Sequence, residues 1–239
     1  MPHRFLNFLL DLFFPWTCLS CHQEVTNDYP LCDNCLKQIP IVTDFICPVC
    51  QRLIIPDKKH YSCLKHTKLD ALGNVNFYHN SILRETIHWF KYHQIISLRK
   101  PLSFLMIKFL KQSYYFSQVP KNNLIIIPLP LHPKKKKQRG FNQSELMAQD
   151  VAHYFQLPYN DHLLIRVKNN LPQVNINDYE QRQLNAINIF EVLNNQELKN
   201  KIVLLIDDVY TTGATMQEAA KILKQNGAKK VIGLVLAKG

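Results

Sequence analysis

The sequence predicts an α/β fold, a parallel sheet flanked by helices, behind a small cysteine-rich module. Three observations lead there. All seven cysteines fall within the first 63 of 239 residues. From Leu124 onward, apolar runs rich in β-branched residues alternate with stretches of helical periodicity, the pattern of parallel strands joined by crossover helices. The composition, 46% hydrophobic and 20% charged, is that of a folded chain and sets disorder aside.

The chain opens with MPHRFLNFLLDLFFPW, which mimics a signal peptide, but Asn7 and Asp11 interrupt its apolar core. It reads as a short amphipathic helix. The longest apolar run, Leu124–Leu131, carries two prolines and is too short for the ~18 residues of a membrane span. No membrane span is expected, and a cytoplasmic location is.

The cysteines then fall into pairs: Cys18-x2-Cys21, Cys32-x2-Cys35 and Cys47-x2-Cys50, with Cys63 alone. An odd count argues against a closed disulfide framework. Two thiolates on a tight knuckle reach one ion, and a second knuckle completes a tetrahedron. Cys18, Cys21, Cys32 and Cys35 therefore predict one zinc site. Cys47, Cys50 and Cys63 need a fourth ligand for a second; His66 offers it, and His60 is an alternative at equal spacing. Residues 1–70 are expected to form the lead-in and zinc module, and 71–239 the α/β domain.

Within that domain a short strand is expected at Val75–Tyr78, then a helix over 82–93 with Leu83, Ile87 and Phe90 on one face. Pro101 opens a second helix bearing Leu102, Met106 and Phe109. LIIIP is a buried strand, and the Pro- and Lys-rich stretch after it reads as a loop. The helix begun by Asn142 or Ser144 carries Met147, Val151 and Tyr154 on its apolar face. Residues 166–190 are polar and loop-rich. KIVLLIDD reads as a strand, TTGAT as a turn, MQEAAKILKQNG as a helix ended by Gly227, and VIGLVLA as the closing strand.

The net charge of +11 is concentrated. Residues 81–143 hold twelve Lys and Arg against one acid, Glu85, while the segments on either side balance to zero. Such a field attracts polyanions. Trp89, Phe90, Tyr92, Tyr114, Tyr115 and Phe116 lie in the same stretch, available either for base stacking or for the core.

Val203–Thr215, VLLIDDVYTTGAT, carries the most chemistry. An apolar strand brings Asp207 and Asp208 to the rim of a sheet. The amides of the following turn and helix N-terminus attract phosphate, Thr211, Thr212 and Thr215 add hydroxyls, and Gly213 and Ala214 let the backbone come close. Two carboxylates beside a phosphate cradle make sense if the ligand also presents sugar hydroxyls, which donate to them. The implied ligand is a sugar 5-phosphate.

This segment resembles the ribose-phosphate loop of type I phosphoribosyltransferases. There the acidic pair holds the ribose hydroxyls and the Thr/Gly turn holds the 5-phosphate of phosphoribosyl pyrophosphate (PRPP). Ile127–Gln143, IPLPLHPKKKKQRGFNQ, is similar to the P-x-P…R-G-F-N-Q signature of the ComF family. The knuckles, the Phe90-Lys91-Tyr92 step, and Gln173, Arg182, Asn185 and Phe190 extend the likeness over nearly the whole chain. His66 departs from the cysteine usual in that family at its position. The resemblance implies PRPP as ligand, magnesium with it, and a pyrophosphate side built from Leu129 to Gly140. Lys134–Lys137 and Arg139 are its cationic candidates, Lys137 and Arg139 foremost.

It also implies a role in natural transformation, on incoming single-stranded DNA and beside a competence helicase. No catalytic residue or acceptor is assigned. The chain opens Met1-Pro2 rather than with the cysteine of glutamine amidotransferases, and no nucleobase-specificity motif is present. An active phosphoribosyltransferase and a PRPP-sensing scaffold are the alternatives.

Overall fold

The computed structural model describes residues 17–42, 44–54, 61–168 and 188–239. The expected lead-in helix, His60, Gln173, Arg182 and Asn185 lie outside them.

Four parallel strands form the main sheet in the order β1-β6-β5-β2. They are β1 (Ala71–Phe77), β2 (Leu124–Pro128), β5 (Ile202–Tyr210) and β6 (Lys230–Lys238). A two-stranded antiparallel flap, β3 (Leu164–Arg166) with β4 (Phe190–Val192), stands beside it. β2, β5 and β6 are almost continuously buried, as strands covered on both faces must be.

Five helices flank the sheet and shape its pockets: α1 (Ser81–Tyr92), α2 (Arg99–Gln112), α3 (Pro133–Arg139), α4 (Gln143–Phe155) and α5 (Ala214–Gln225). The Asn80 side chain caps α1 by accepting from the Leu83 amide. Leu83, Ile87 and Phe90 are buried beneath α1, and Leu102, Met106 and Phe109 beneath α2. On α4, Met147 and Val151 are buried as expected, but Tyr154 is half exposed.

The lysine run departs from expectation. It is the helix α3, with Pro133 in its first turn and His132 Nδ1 accepting from the Lys134 amide at its start. A proline there costs no hydrogen bond, because its missing N–H would be unpaired anyway. The helix ends at Gly140, whose φ of 82° favours glycine.

The cysteine module packs directly against the sheet. Ile46 bridges to Leu72 on β1, and the Val42 amide donates to the Val75 carbonyl. Phe45 is fully buried, 5.2 Å edge-on from Phe109, and closes over Gly73, where a Cβ would sit 2.6 Å from its ring. The Asp44 carboxylate accepts from Ser113 Oγ and the Tyr115 amide, and so ties the module to the segment after α2. Among the described residues no helix is long and apolar enough to cross a membrane.

Candidate functional site

β2 ends opposite Ile206, while β5 runs on to Tyr210, still paired with β6. The main sheet is therefore notched on the β2 side of Asp207 and Asp208. A cavity of about 790 Å³ fills this notch. It is lined by both acids, the Thr211–Met216 turn and helix start, and residues of α1, α3 and β3.

Successive side chains on a strand leave by opposite faces, and the two acids have different partners. Asp208 is ion-paired with Lys91 of α1 at 2.7 Å, with only 10% and 17% of their side chains exposed. Asp207 accepts from Ser144 Oγ at 2.9 Å. Burial, and then the charge of Asp208, push the Asp207 carboxyl up to about 7, against the opposing pull of Lys91 and Ser144. The acids are oxygen donors of the kind magnesium takes, and Lys91 already balances one of them.

The turn after β5 has the predicted form. Gly213 sits at φ 76°, and a Cβ there would lie 2.1 Å from the Tyr210 ring, so only glycine fits. Gly213 at the head of α5 has no side chain to cap it, Thr212 Oγ1 accepts from the Ala214 amide at 3.4 Å, and Ala214, Thr215 and Met216 line the cavity. That leaves an amide-rich, dipole-positive end facing the pocket.

The R-G-F-N-Q-S run carries the opposite wall. Arg139 Nη1 donates to Gln143 Oε1 at 2.9 Å, and Phe141 packs 5.3 Å from Phe90. Asn142 donates to the Leu129 carbonyl and accepts from the Ser144 amide. Among the described residues the buried Gln143 Nε2 atom has no hydrogen-bond partner, and its residue lines the cavity. A buried donor left open at a pocket wall is a place for a ligand oxygen.

The structure sorts the cationic candidates by helical pitch. Lys135 and Arg139, four residues apart on α3, share the face toward the cavity. Lys136 turns away to Glu145 at 2.6 Å, and Lys137 is not among the lining residues. Gly140 serves as the α3 cap, whereas Leu129 lines the cavity, its amide donating to the Ile206 carbonyl. Arg166 on β3 completes the cationic wall, and burial pulls its pKa down. Sequence reasoning missed Arg166, because a lone arginine in a polar stretch carries no motif. Ser144 and the role of Lys91 were missed too, although Lys91 follows directly on the buried stripe that ends at Phe90.

Of the aromatics offered for stacking, Phe90, Tyr115 and Phe116 belong to the core. Trp89 is partly buried against it, and Tyr92 and Tyr114 are exposed.

In the amino-terminal module, Cys18, Cys21, Cys32 and Cys35 bring their sulfurs within 4.8 Å of one another. The Cys32 amide donates to Cys18 Sγ and the Cys35 amide to Cys32 Sγ, each at 3.4 Å. Burial raises the Cys18 thiol pKa, but the surrounding amides outweigh it and bring the pKa down to about 6. Four such sulfurs suit a tetrahedral zinc. Cys47, Cys50 and Cys63 form a second cluster. His66 does not join it. Its amide donates to the Cys63 carbonyl just after a helical turn, and the residue is exposed to solvent.

A phosphoribosyl transferase domain model matches residues 142–239, and a double zinc ribbon domain model matches 9–64. Fold and site thus define a type I phosphoribosyltransferase-like domain behind a zinc-binding module. The chain is 28% identical to competence protein ComFC of Bacillus subtilis, over 88% of this chain and 89% of that one. It is 27% identical to competence protein F of Haemophilus influenzae, over 92% and 95%. It is 26% identical to the DNA utilization protein YhgH of Salmonella typhi, over 84% and 93%. The chain is thus similar to these competence and DNA utilization proteins over most of its length.

Proposed function

We propose that the cavity binds PRPP and that the protein serves natural transformation in the cytoplasm, handling incoming single-stranded DNA beside a helicase. One observation carries the PRPP reading. An acid pair, a glycine-turned helix N-terminus and a cationic wall of Lys135, Arg139 and Arg166 face one another across a single cavity. Each matches one part of the ligand: ribose hydroxyls, 5-phosphate and pyrophosphate.

Ser144 and Lys91 hold the two carboxylates in place before ligand arrives, so little reorganisation is needed. Gly213 lets the backbone amides reach the 5-phosphate. Arg139, braced by Gln143, presents its planar fork to pyrophosphate, and Gln143 Nε2 has a hydrogen bond still to give. Magnesium carried with PRPP would neutralise pyrophosphate charge and make it a better leaving group. The relatives' names supply the competence role, and the basic stretch 81–143 supports a polyanion partner.

Calorimetric titration of PRPP with magnesium tests the pocket. Wild type should bind, while Asp207→Asn with Asp208→Asn should lose binding at unchanged zinc content. Failure of wild type to bind would overturn the reading. The cavity's size, within the range of sites that enclose a drug-sized ligand, favours a second reading, ribosyl transfer to an acceptor. Acceptor-dependent release of pyrophosphate checks it.

A further inference from the structure

A second cavity of about 660 Å³ lies away from the PRPP pocket, in the groove between the outer faces of α2 and α4. α2, RKPLSFLMIKFLKQ, contains four cations and no acid. Its buried side is accounted for by Leu102, Met106 and Phe109. Lys100, Phe104 and Lys108 recur every four residues on the remaining side, with Lys111 continuing the row, over about 16 Å at the helical rise.

Phe104 is 51% exposed, and across the groove Tyr154 of α4 is 50% exposed. Lys111 lies over the Tyr154 ring at 5.8 Å. The acid in the groove, Asp150, is already satisfied by Arg99 at 3.5 Å and by Ser103 Oγ at 2.8 Å. Among the described residues, Lys108 and Lys111 have no carboxylate partner. Large rings left open to water cost apolar exposure, and while Lys100 is paired with Asp28, the unbalanced Lys108 and Lys111 repel each other; one ligand class relieves both. A single nucleic-acid strand brings phosphates for the lysines and unpaired bases with free faces for the rings. A duplex keeps its base faces stacked and offers the rings no partner.

We infer that the α2–α4 groove binds single-stranded nucleic acid, with Phe104 and Tyr154 as stacking platforms and Lys108 and Lys111 as phosphate contacts. This rests on the proposed DNA-handling role and gives it a location separate from the PRPP cavity.

The test is fluorescence anisotropy of a labelled oligothymidine against the full chain across a salt series. Phe104→Ala with Tyr154→Ala should weaken binding by about five-fold or more per ring while leaving the salt slope unchanged. Lys108→Gln with Lys111→Gln should weaken binding and reduce the slope of log affinity against log salt by about 1.4. All four positions are at the surface, so zinc content and melting should match wild type in both variants. If wild type binds and both variants bind equally well, the inference is overturned and the groove is left for a protein segment. If wild type binds no oligothymidine at low salt, the DNA-handling role itself falls, and this inference with it.

Discussion

The amino-terminal module and the sheet are ordered by different means. Around the sheet, β2, β5 and β6 and their helices bury two large apolar clusters, and burial alone explains their order. Among the described residues of 17–70 few apolar side chains are buried, and the sulfurs converge in two places. A metal held by such sulfurs adds order to a segment with so small a core of its own. Yet the two parts share a core, because Phe45, Leu31 and Ile39 belong to the same cluster as Leu83 and Phe109. Side chains thus pack across the division expected at residue 70.

The largest effect that would sharpen this comparison is loss of the metal. Cys18→Ser should remove the zinc of the first site and unfold the module, since binding free energy in such domains is folding free energy, about 10 kcal/mol or more. Metal analysis with thermal melting checks it, and full zinc at an unchanged melting profile would overturn the four-thiolate assignment. Next comes the seam. Phe45→Ala should cost about 3–5 kcal/mol of global stability in denaturant titration with zinc retained. A loss confined to the module would break the picture of a shared core.

The smallest effect concerns the sheet alone. Asp207 titrates near 7 when folded and near 3.9 when unfolded. A raised carboxyl pKa means stability that is present at low pH and lost as pH rises through the folded value. Between pH 6 and 8 the protein should lose about 1 kcal/mol through this group. Denaturant unfolding at the two values should show it, and Asp207→Asn should remove that part of the slope.

What was legible in the sequence follows the same division. Local patterns were readable: the knuckle spacing, the apolar stripe of α1, the strands LIIIP and KIVLLIDD, and the glycine turn, whose φ of 76° only glycine suits beside Tyr210. What was not readable depends on distant partners. Asp208 meets Lys91 from more than a hundred residues away, and Arg166 reaches the pocket only because the β3–β4 flap stands beside the sheet. Lys137 lies off the cavity for a local reason: the lysine run is a helix whose pitch presents Lys135 instead. Tyr154 fits the helical period of its neighbours but lies at the edge of the buried face, where it becomes half of a groove.

The strand order has a consequence for synthesis. β1 is paired in the main sheet only with β6, and the Val231 amide is held by the Asp70 carboxylate across 161 residues. On the ribosome, β1 emerges long before its partner exists, with an edge open to mispairing. The zinc module emerges before both and meets β1 through Ile46 and Leu72. A nascent chain that captures its metal early thus has its own chaperone for the first strand, while one starved of zinc waits for its last residues with that strand uncovered.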